Sequence, residues 1–278
     1  MKTWFITGAT RGLGLATAQA ALAAGDRVVA TGRYLSRLTD TLAEDPHLLA
    51  LEVDVTDEPN IEAAVSMARH RFGGIDVLVN NAGYGQLGAF EETSQDAIDR
   101  QFETNVFGVF RVTRAVLPIM RAQRSGHVII ISSMVGLVGV DGGSIYCASK
   151  FAIAGWSEAL SVELARFGIH ATSVHPGYFR TDFLDRSSMR LADLSIDDYR
   201  DTTERATRRR DSANGRQAGD PAAFGRVMVE LAHSDNPPVR FAAGSDALKV
   251  MREKGIALQE SADAWADLSA STDFPSGA

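Results

Sequence analysis

A tyrosine and a lysine four residues apart are the side chains whose types and spacing most directly suggest chemistry. Tyr146 and Lys150 stand at positions i and i+4, which a helix places on one face within reach of each other. A free tyrosine has a pKa of about 10, but a neighbouring ammonium favours the phenolate and lowers that pKa. Only Tyr146 among the five tyrosines has such a lysine. About one tyrosine in twenty has this partner by chance, so the pair alone is weak evidence for a general acid and base.

Further polar residues stand near predicted ligand-binding positions. Ser133 follows the apolar run 128–131, at the carboxyl end of a predicted strand, where open α/β sheets bind ligands. A hydroxyl there can donate a hydrogen bond to an oxygen that gains negative charge during a reaction. The neighbouring Ser132 is equally placed to cap a turn, so a structural role stays open for either serine. Asn105 lies within a helical pattern although it is a poor helix former, which by itself indicates a solvated or kinked position.

The first turn of the chain is rich in glycine. It reads Thr7-Gly8-Ala9-Thr10-Arg11-Gly12-Leu13-Gly14 and connects an apolar run to an alanine-rich helical pattern. Glycines let the backbone approach a pyrophosphate closely, and the N–H groups and dipole of the following helix favour its negative charge. The spacing is G-x-x-x-G-x-G, so this turn alone is a moderate signal, and a glycine-rich turn that binds nothing remains the alternative.

The elements that must position these residues alternate along the chain. Alternating strands and helices predict parallel βαβ units and an α/β fold, with a doubly wound (Rossmann) parallel sheet of about seven strands and helices on both faces. We interpret residues 1–278 as one domain, since no internal repeat or low-complexity linker divides them. The predicted strands are 3–7, 27–32, 48–53, 77–80, 127–132, 170–175 and 239–242, and the predicted helices are 14–24, 59–72, 97–121, 149–167 and 221–232.

Composition excludes several classes of protein. The net charge of −7 argues against a nucleic-acid surface or an anionic membrane as the main partner. No apolar run is long enough to span a bilayer, and the start MKTWFITG resembles a first strand rather than a signal peptide, so a cytoplasmic protein is expected. The only cysteine, Cys147, is expected to pack rather than react. The six histidines are scattered, and no metal site is predicted.

The alternating pattern stops after Thr181. Residues 182–219 hold eight acidic residues and eight arginines, a composition typical of a mobile surface segment or short exposed helices. We interpret 182–219 as a lid over the substrate. The run Arg208-Arg209-Arg210 could attract an acidic substrate, but the acids among which it lies favour a solvated face. The last residues, 271–278, are expected to fray.

Together these motifs resemble the short-chain dehydrogenase/reductase family, in its branch of typical single-domain members. The similarity is close over residues 1–181 and holds only in outline beyond them. The family's nucleotide-binding turn has the glycine spacing found here, and the other motifs follow in the family's order. They are Asp54 with Val55, the tetrapeptide Asn80-Asn81-Ala82-Gly83, Asn105, Ser133 thirteen residues before Tyr146-x-x-x-Lys150, Pro176-Gly177, and Thr181.

The resemblance implies hydride transfer between a nicotinamide cofactor and a small carbonyl or alcohol substrate. It implies that Tyr146 exchanges the proton, that Ser133 polarises the substrate oxygen, and that Lys150 tunes Tyr146 and holds the ribose. Asn105 would anchor a water leading to Lys150. It also implies a homodimer or homotetramer. The cofactor-binding residues would be Gly8, Thr10, Arg11, Gly12, Leu13, Gly14, Arg33, Asp54, Val55, Asn81, Ala82, Gly83, Tyr146, Lys150, Pro176, Gly177 and Thr181.

The end of the second predicted strand bears on which nicotinamide cofactor is used. NAD-dependent enzymes of this architecture place an acid there to bind the ribose 2′-hydroxyl. Here Gly32 stands in that place and Arg33 follows, with no carboxylate nearby in the sequence. Arg33 and Arg11 could pair with a 2′-phosphate, so NADP(H) is preferred over NAD(H). The alternative is that both are ordinary surface arginines.

Two other functions remain open on the sequence. A sugar-nucleotide epimerase or dehydratase of the extended branch shares the Tyr-x-x-x-Lys pair, but such relatives usually have another glycine spacing and a larger carboxyl-terminal domain. A catalytically idle NADP-binding sensor or scaffold is the second alternative. The intact set Asn105, Ser133, Tyr146 and Lys150 argues against it, because a sensor does not need a proton relay.

Overall fold

The computed structural model describes residues 1–274. Seven strands form one parallel sheet in the order β3-β2-β1-β4-β6-β7-β9, and two short strands, β5 and β8, form a separate parallel pair. Helices flank the sheet, which confirms the predicted doubly wound α/β fold of about seven strands. The strands are β1 Thr3–Ile6, β2 Arg27–Gly32, β3 Leu48–Glu52, β4 Val77–Asn80, β5 Gly85–Leu87, β6 Gly126–Ile131, β7 Ile169–Pro176, β8 Met189–Leu191 and β9 Arg240–Ala243.

Ten α-helices occur within the described residues, and several begin at side chains suited to cap them. The Asp57 carboxylate accepts a hydrogen bond from the Asn60 amide at the start of the third helix, and Gly73 ends that helix in the left-handed region. The helices are α1 Gly12–Ala23, α2 Leu35–Thr39, α3 Glu58–Phe72, α4 Gln95–Phe102, α5 Gly108–Gln123, α6 Ser144–Ala165, α7 Arg200–Ala213, α8 Pro221–His233, α9 Ser245–Ala264 and α10 Ala266–Ala270.

The central strands are mainly apolar and are buried because both faces of the sheet are covered. Every residue of β1 and β4 is buried. Side chains such as Phe5 and Leu78 pack on one face, and Trp4 and Val79 pack on the other. Since β1 pairs with both β2 and β4, the strand order reverses at β1, and the carboxyl ends diverge there to leave a crevice.

Several elements differ from the sequence prediction in ways that affect the site. The predicted helix 97–121 is divided into α4 and α5 by a π-helical turn, Glu103–Phe107. Helix α6 begins at Ser144, five residues earlier than predicted, and so includes Tyr146 in its first turn. The charged segment 182–219 contains β8 and α7, and the long helix α9 lies where the sequence analysis predicted no helix. Residues 271–274 follow α10 outside any helix or strand, and the rest of the predicted frayed tail, 275–278, lies outside the described residues.

Candidate active site

The first two turns of α6 bring Tyr146 and Lys150 together at the carboxyl edge of the sheet. Both side chains are buried, and the Lys150 Nζ lies 5.9 Å from the centroid of the Tyr146 ring. The Lys150 ammonium donates a hydrogen bond to the Ile131 carbonyl at 2.9 Å, which ties it to the end of β6. The Ser133 side chain interacts with the Tyr146 hydroxyl and favours its phenolate form. The hydroxyls of Ser133 and Tyr146 and the ammonium of Lys150 therefore lie close together at the edge of the sheet.

Burial shifts the titration of both ionisable groups toward their neutral forms. It raises the pKa of Tyr146 above its ordinary value, and the hydrogen bond from Ser133 opposes that shift. Burial lowers the pKa of Lys150 to about 8. A tyrosine with a raised pKa keeps its proton at neutral pH, which suits a group that must donate it.

The two serines at the end of β6 have different surroundings. Ser132 is buried, and its hydroxyl donates to the Lys150 carbonyl at 3.0 Å, so it fastens α6 to the sheet. Ser133 is partly exposed to the cavity. Its carbonyl lies 2.9 Å from the buried His175 Nδ1, which holds its backbone in place. The structure thus gives Ser132 and His175 supporting contacts and leaves the Ser133 hydroxyl facing Tyr146.

The π turn explains why an asparagine lies inside a helix. Asn105 is 1% exposed, and its amide forms a pair of hydrogen bonds with the backbone of Tyr84, accepting from the N–H at 3.1 Å and donating to the carbonyl at 2.8 Å. A Cβ atom placed on Gly83 would lie 3.1 Å from the Asn105 Oδ1 and 3.8 Å from the Lys150 Nζ. Asn105 therefore holds the segment after β4 beside the lysine.

The glycine turn between β1 and α1 is compact, because neighbouring atoms occupy the space that a Cβ atom would need at Gly8 and Gly14. Gly8 has a φ of +68°, in the left-handed region. A Cβ atom on Gly14 would lie 2.4 Å from the Gly8 carbonyl oxygen and from the Asn81 Nδ2. The Asn81 amide donates to the Thr7 and Gly8 carbonyls at 2.9 and 3.0 Å, which joins the ends of β1 and β4. The amino end of α1 is left facing the crevice.

A cavity of about 640 Å³ runs along this edge and joins the glycine turn to Tyr146. Of the predicted cofactor-binding residues, only Gly14 lies outside its wall. Of the predicted catalytic residues, only Asn105 does not line the cavity. It lies behind the wall and holds the backbone of Tyr84, which does line it. A glycine cradle closed to larger side chains, beside a helix amino end, fits a dinucleotide pyrophosphate. The predicted residues that line the cavity are Gly8, Thr10, Arg11, Gly12, Leu13, Arg33, Asp54, Val55, Asn81, Ala82, Gly83, Ser133, Tyr146, Lys150, Pro176, Gly177 and Thr181.

The end of β2 forms one corner of the cavity. Arg33 lines it and is exposed, and Arg37 lines it from α2, with its guanidinium 5.3 Å from the Tyr34 ring centroid. Arg37 was not singled out in the sequence because it approaches only through the fold of α2. Glu52 pairs with Gly32 in the strand register, so a carboxylate lies on the neighbouring strand end, where the sequence showed none nearby.

Arg11 also lines the cavity, but its side chain contacts the segment 182–219 rather than the corner at the end of β2. Its guanidinium donates to the hydroxyls of Ser187 and Ser188 at 2.9 and 2.5 Å. The glycine turn is thereby fastened to the segment 182–219.

The segment 182–219 covers the end of the cavity nearest Tyr146. The ring of Phe183 lies 6.1 Å from the ring of Tyr146, and β8 pairs with β5. The buried carboxylate of Glu92 accepts hydrogen bonds from the Thr203 hydroxyl and from the Ile196 amide. The Thr203 hydroxyl, which donates to this carboxylate, holds the pKa of Glu92 below its ordinary value. The segment is thus attached to the body of the protein through Glu92, before α4, and through Arg11 in the glycine turn.

The described residues offer neither a reactive thiol nor a group of side chains suited to a metal ion. Cys147 is buried, and burial raises the pKa of its thiol, which disfavours the nucleophilic thiolate. Within residues 1–274, no group of histidine, cysteine, aspartate and glutamate side chains is arranged to hold a metal ion. No helix of the same region is long and apolar enough to cross a membrane.

Comparison with known proteins identifies the family. The profile described as short chain dehydrogenase matches residues 2–191. An oxidoreductase of Botryotinia fuckeliana, BOA17, is 37% identical over 96% of this chain and 98% of its own. The chain belongs to the short-chain dehydrogenase/reductase family and is an oxidoreductase of that family.

Solved structures agree with this assignment. A short-chain dehydrogenase from Streptomyces avermitilis has a TM-score of 0.90 and 38% identity, over 98% of this chain and 99% of that one. A short chain dehydrogenase/reductase from Burkholderia phymatum, solved in complex with NAD, has a TM-score of 0.81 and 25% identity over 93% and 95%. ElxO, solved with NADP bound, has a TM-score of 0.73 and 26% identity over 90% and 100%.

Proposed function

We propose that this protein transfers a hydride between NADP(H) and an alcohol/carbonyl pair, with Tyr146 as general acid and base. The observation that carries the proposal is the meeting of Tyr146, Ser133 and Lys150 in one cavity with the glycine turn. When bound, the nicotinamide supplies or accepts the hydride, and its oxidised ring adds a positive charge that favours the Tyr146 phenolate.

In the reducing direction the side chains of this chain handle the proton. Ser133 donates a hydrogen bond to the carbonyl oxygen and stabilises the negative charge that develops there. Tyr146 gives its proton to the same oxygen, and the Lys150 ammonium stabilises the phenolate that remains. Asn105 positions the Gly83–Tyr84 backbone beside Lys150, and so keeps the ammonium next to the tyrosine. Oxidation of an alcohol follows the same steps in reverse.

Support for NADP(H) rests on the corner at the end of β2. Arg33 and Arg37 both line it, and a guanidinium is the side chain best matched to a phosphate. Gly32 leaves no carboxylate in the position that binds a ribose 2′-hydroxyl. The related structures bind NAD in one case and NADP in the other, so they support a nicotinamide cofactor without choosing between the two.

We further propose a small apolar substrate, a homodimer or homotetramer, and a cytoplasmic location. The part of the cavity next to Tyr146 is lined by Leu87, Val135 and Met189, which supports an apolar alcohol or ketone. Phe107 and Phe151, which are 47% and 41% exposed, offer apolar surface near the start of α5 and on α6 for a second copy.

The test is a turnover screen of carbonyl compounds with NADPH and of alcohols with NADP⁺. We expect NADPH oxidation that depends on the carbonyl compound. Tight NADPH binding without turnover of any compound would favour the idle sensor instead. Conversion of a sugar nucleotide without net change in NADPH would favour an epimerase.

A further inference from the structure

The cavity walls are strongly basic although the chain as a whole is acidic. Seven arginines and Lys150 line the cavity, against the three carboxylates of Asp54, Glu103 and Asp182. The whole chain carries a net charge of −7. Cavity walls of one sign concentrate ligands of the opposite sign. Arg33 and Arg37 lie at the cofactor end, where the proposed cofactor accounts for their charge, and Arg11 is bonded to Ser187 and Ser188.

Three arginines lie at the other end, where the proposed cofactor does not explain them. Arg190 lies in β8, and Arg209 and Arg210 belong to α7. Helix α7 packs against the segment before α6, because a Cβ atom on Gly142 would lie 2.8 Å from the Ala206 Cβ. The strand β6, which leads into that segment, is three strand positions from β2, a separation of about 14 Å.

Arg210 is buried and only partly paired. It is 6% exposed, and its Nε and Nη2 donate to one oxygen of Asp211 at 2.8 and 2.6 Å. Its Nη1 is buried and has no hydrogen-bond partner among the described residues. A guanidinium stays protonated in proteins, so Arg210 cannot avoid the cost of a buried donor by losing its charge. Arg210 therefore lines the substrate end with a charged side chain whose buried Nη1 has no partner among the described residues.

The surroundings of Arg210 define the ligand that would satisfy it. Ala206, one turn earlier on α7, and the apolar residues Leu184 and Met189 line the same end of the cavity. Asp211 offsets the positive charge of Arg210. Arg209 adds a second positive charge, since its guanidinium donates to the backbone carbonyl of Asp141, which carries no charge. Arg190 adds a third positive charge and the Asp182 carboxylate a second negative one, so this end carries the charge of about one cation, which a single carboxylate neutralises.

We propose, resting on the function proposed above, that the substrate is an apolar carbonyl or alcohol compound carrying a carboxylate, and that Arg210 binds this carboxylate through Nη1. The carbonyl lies at Tyr146, the apolar chain lies along Leu184 and Met189, and the carboxylate lies against α7. Arg210 thus selects anionic substrates and sets their orientation. The reaction itself remains that of Tyr146.

The test measures binding without turnover. Methyl-ketone carboxylic acids of increasing chain length, each paired with its methyl ester, are titrated calorimetrically into the protein saturated with NADP⁺, which cannot reduce them. For at least one chain length the acid should bind about ten- to a hundred-fold more tightly than its ester, since a hydrogen bond to a charged group supplies that difference. Arg210→Met should remove the preference. Arg208→Met is the matched control, because Arg208 is exposed and pairs with Glu204 outside the cavity wall, and it should keep the preference.

Asp211→Asn supplies a second variant, in which the substituted side chain is itself largely exposed. The amide removes the negative charge that offsets Arg210 but keeps an oxygen that can accept its hydrogen bonds, so the preference for the acid should increase. Equal binding of acid and ester by the wild type, no binding of either at any chain length, or a preference that survives Arg210→Met would each overturn the proposal. Preferential binding of the acid without turnover in NADPH would leave the carboxylate site standing and overturn the proposed function instead.

Discussion

The two ends of the cavity are built in different ways. At the glycine turn the wall is mainly backbone, and neighbouring strand ends fix it through Asn81 and through the close approach of Gly14 to Gly8. At the Tyr146 end the cover is the segment 182–219, which is attached by side-chain hydrogen bonds and by a three-residue strand, β8. A wall of backbone is set by the fold, whereas a cover held by side chains can change its lining without changing the fold.

This difference separates the effects expected from mutation. Substitutions at the cofactor end should change which nicotinamide binds or should prevent the turn from forming. Substitutions in the cover should change the affinity for substrate and leave cofactor binding intact. The proposed catalytic residues lie between the two ends, on α6 and after the end of β6.

The largest effect is expected between the two ends of the cavity, at Tyr146. Tyr146→Phe removes the hydroxyl that we propose exchanges the proton, and turnover should fall by about three orders of magnitude, within the range for lost acid–base catalysis. Cofactor affinity should stay close to that of the wild type. Tyr199→Phe is the matched control, since the Tyr199 hydroxyl bonds to Glu91 outside the cavity wall. Retention of more than about a tenth of the wild-type rate would remove Tyr146 from the mechanism.

The next effect concerns the cofactor end. Arg33→Ala should weaken NADPH binding by about ten- to a hundred-fold, which corresponds to one lost charge-assisted contact, and should barely change NADH binding. Fluorescence titration with both cofactors measures this. Arg71→Ala, a surface arginine that bonds to the Pro46 carbonyl, is the control. An NADPH affinity unmoved by Arg33→Ala would mark Arg33 as surface charge.

Reversal of the preference needs two substitutions. A Cβ atom on Gly32 would lie 2.4 Å from the Thr10 Cγ2, so Gly32→Asp alone forces Thr10 to move. Gly32→Asp combined with Thr10→Ser removes that methyl group and places a carboxylate that repels a 2′-phosphate and can bind a 2′-hydroxyl. The ratio of kcat/KM for NADPH to that for NADH should fall below that of Arg33→Ala. A ratio equal to that of the wild type would contradict the proposed position of the phosphate.

A pH profile tests the proposed roles of Tyr146 and Lys150 without mutation. Carbonyl reduction should be constant through neutral pH, because the raised pKa of Tyr146 keeps its proton in place. Reduction should then fall as pH rises through about 8, the pKa of Lys150, because the neutral amine no longer stabilises the phenolate. The loss should approach about ten-fold per pH unit, the slope of one titrating group. The measurement is kcat/KM against pH at saturating NADPH, and a profile that stays flat well above pH 8 would exclude Lys150 from this role.

The smallest effect is expected in the cover. Glu92→Gln keeps the shape of the side chain but weakens its hydrogen bonds to Thr203 and Ile196, so KM for the substrate should rise about five-fold, equivalent to about 1 kcal/mol. Hydrogen exchange should quicken over residues 194–203. The pKa of Glu92 is lowered from its ordinary value of 4.5, so its carboxylate should keep its hydrogen bonds to the segment 182–219 at any pH above 4.5. These bonds should weaken only as the pH falls below that value. Exchange equal to that of Glu58→Gln, an exposed control, would show that Glu92 does not hold the segment.

The sheet and most of the site could be predicted because they follow local patterns. Mainly apolar runs bounded by glycine and polar residues mark buried parallel strands, and the groups at their carboxyl ends meet at one edge. The residues missed by the sequence analysis depend on contacts between distant segments. Arg37 reaches the cofactor corner only because α2 folds back beside β2, and β5 pairs with β8 across more than a hundred residues.

The run Arg208-Arg209-Arg210 shows the same limit on a smaller scale. Its composition favours a solvated face, and this is correct for Arg208, which is exposed and paired with Glu204. It is wrong for Arg210, which is buried on the side of α7 that also holds Ala206. Composition does not distinguish neighbours on a helix, because each position points in a different direction.

The π turn at Glu103–Phe107 gives the chain one residue more than a continuous helix from α4 to α5 would need. Each residue advances an α-helix by about 100°, so the extra residue sets the angular phase of one half against the other. The apolar stripe of α5, with Val109, Val112 and Val116, faces the core, and Asn105 faces Tyr84. Deletion of a single residue here would leave a regular helix that could present either the stripe or the asparagine inward, but not both.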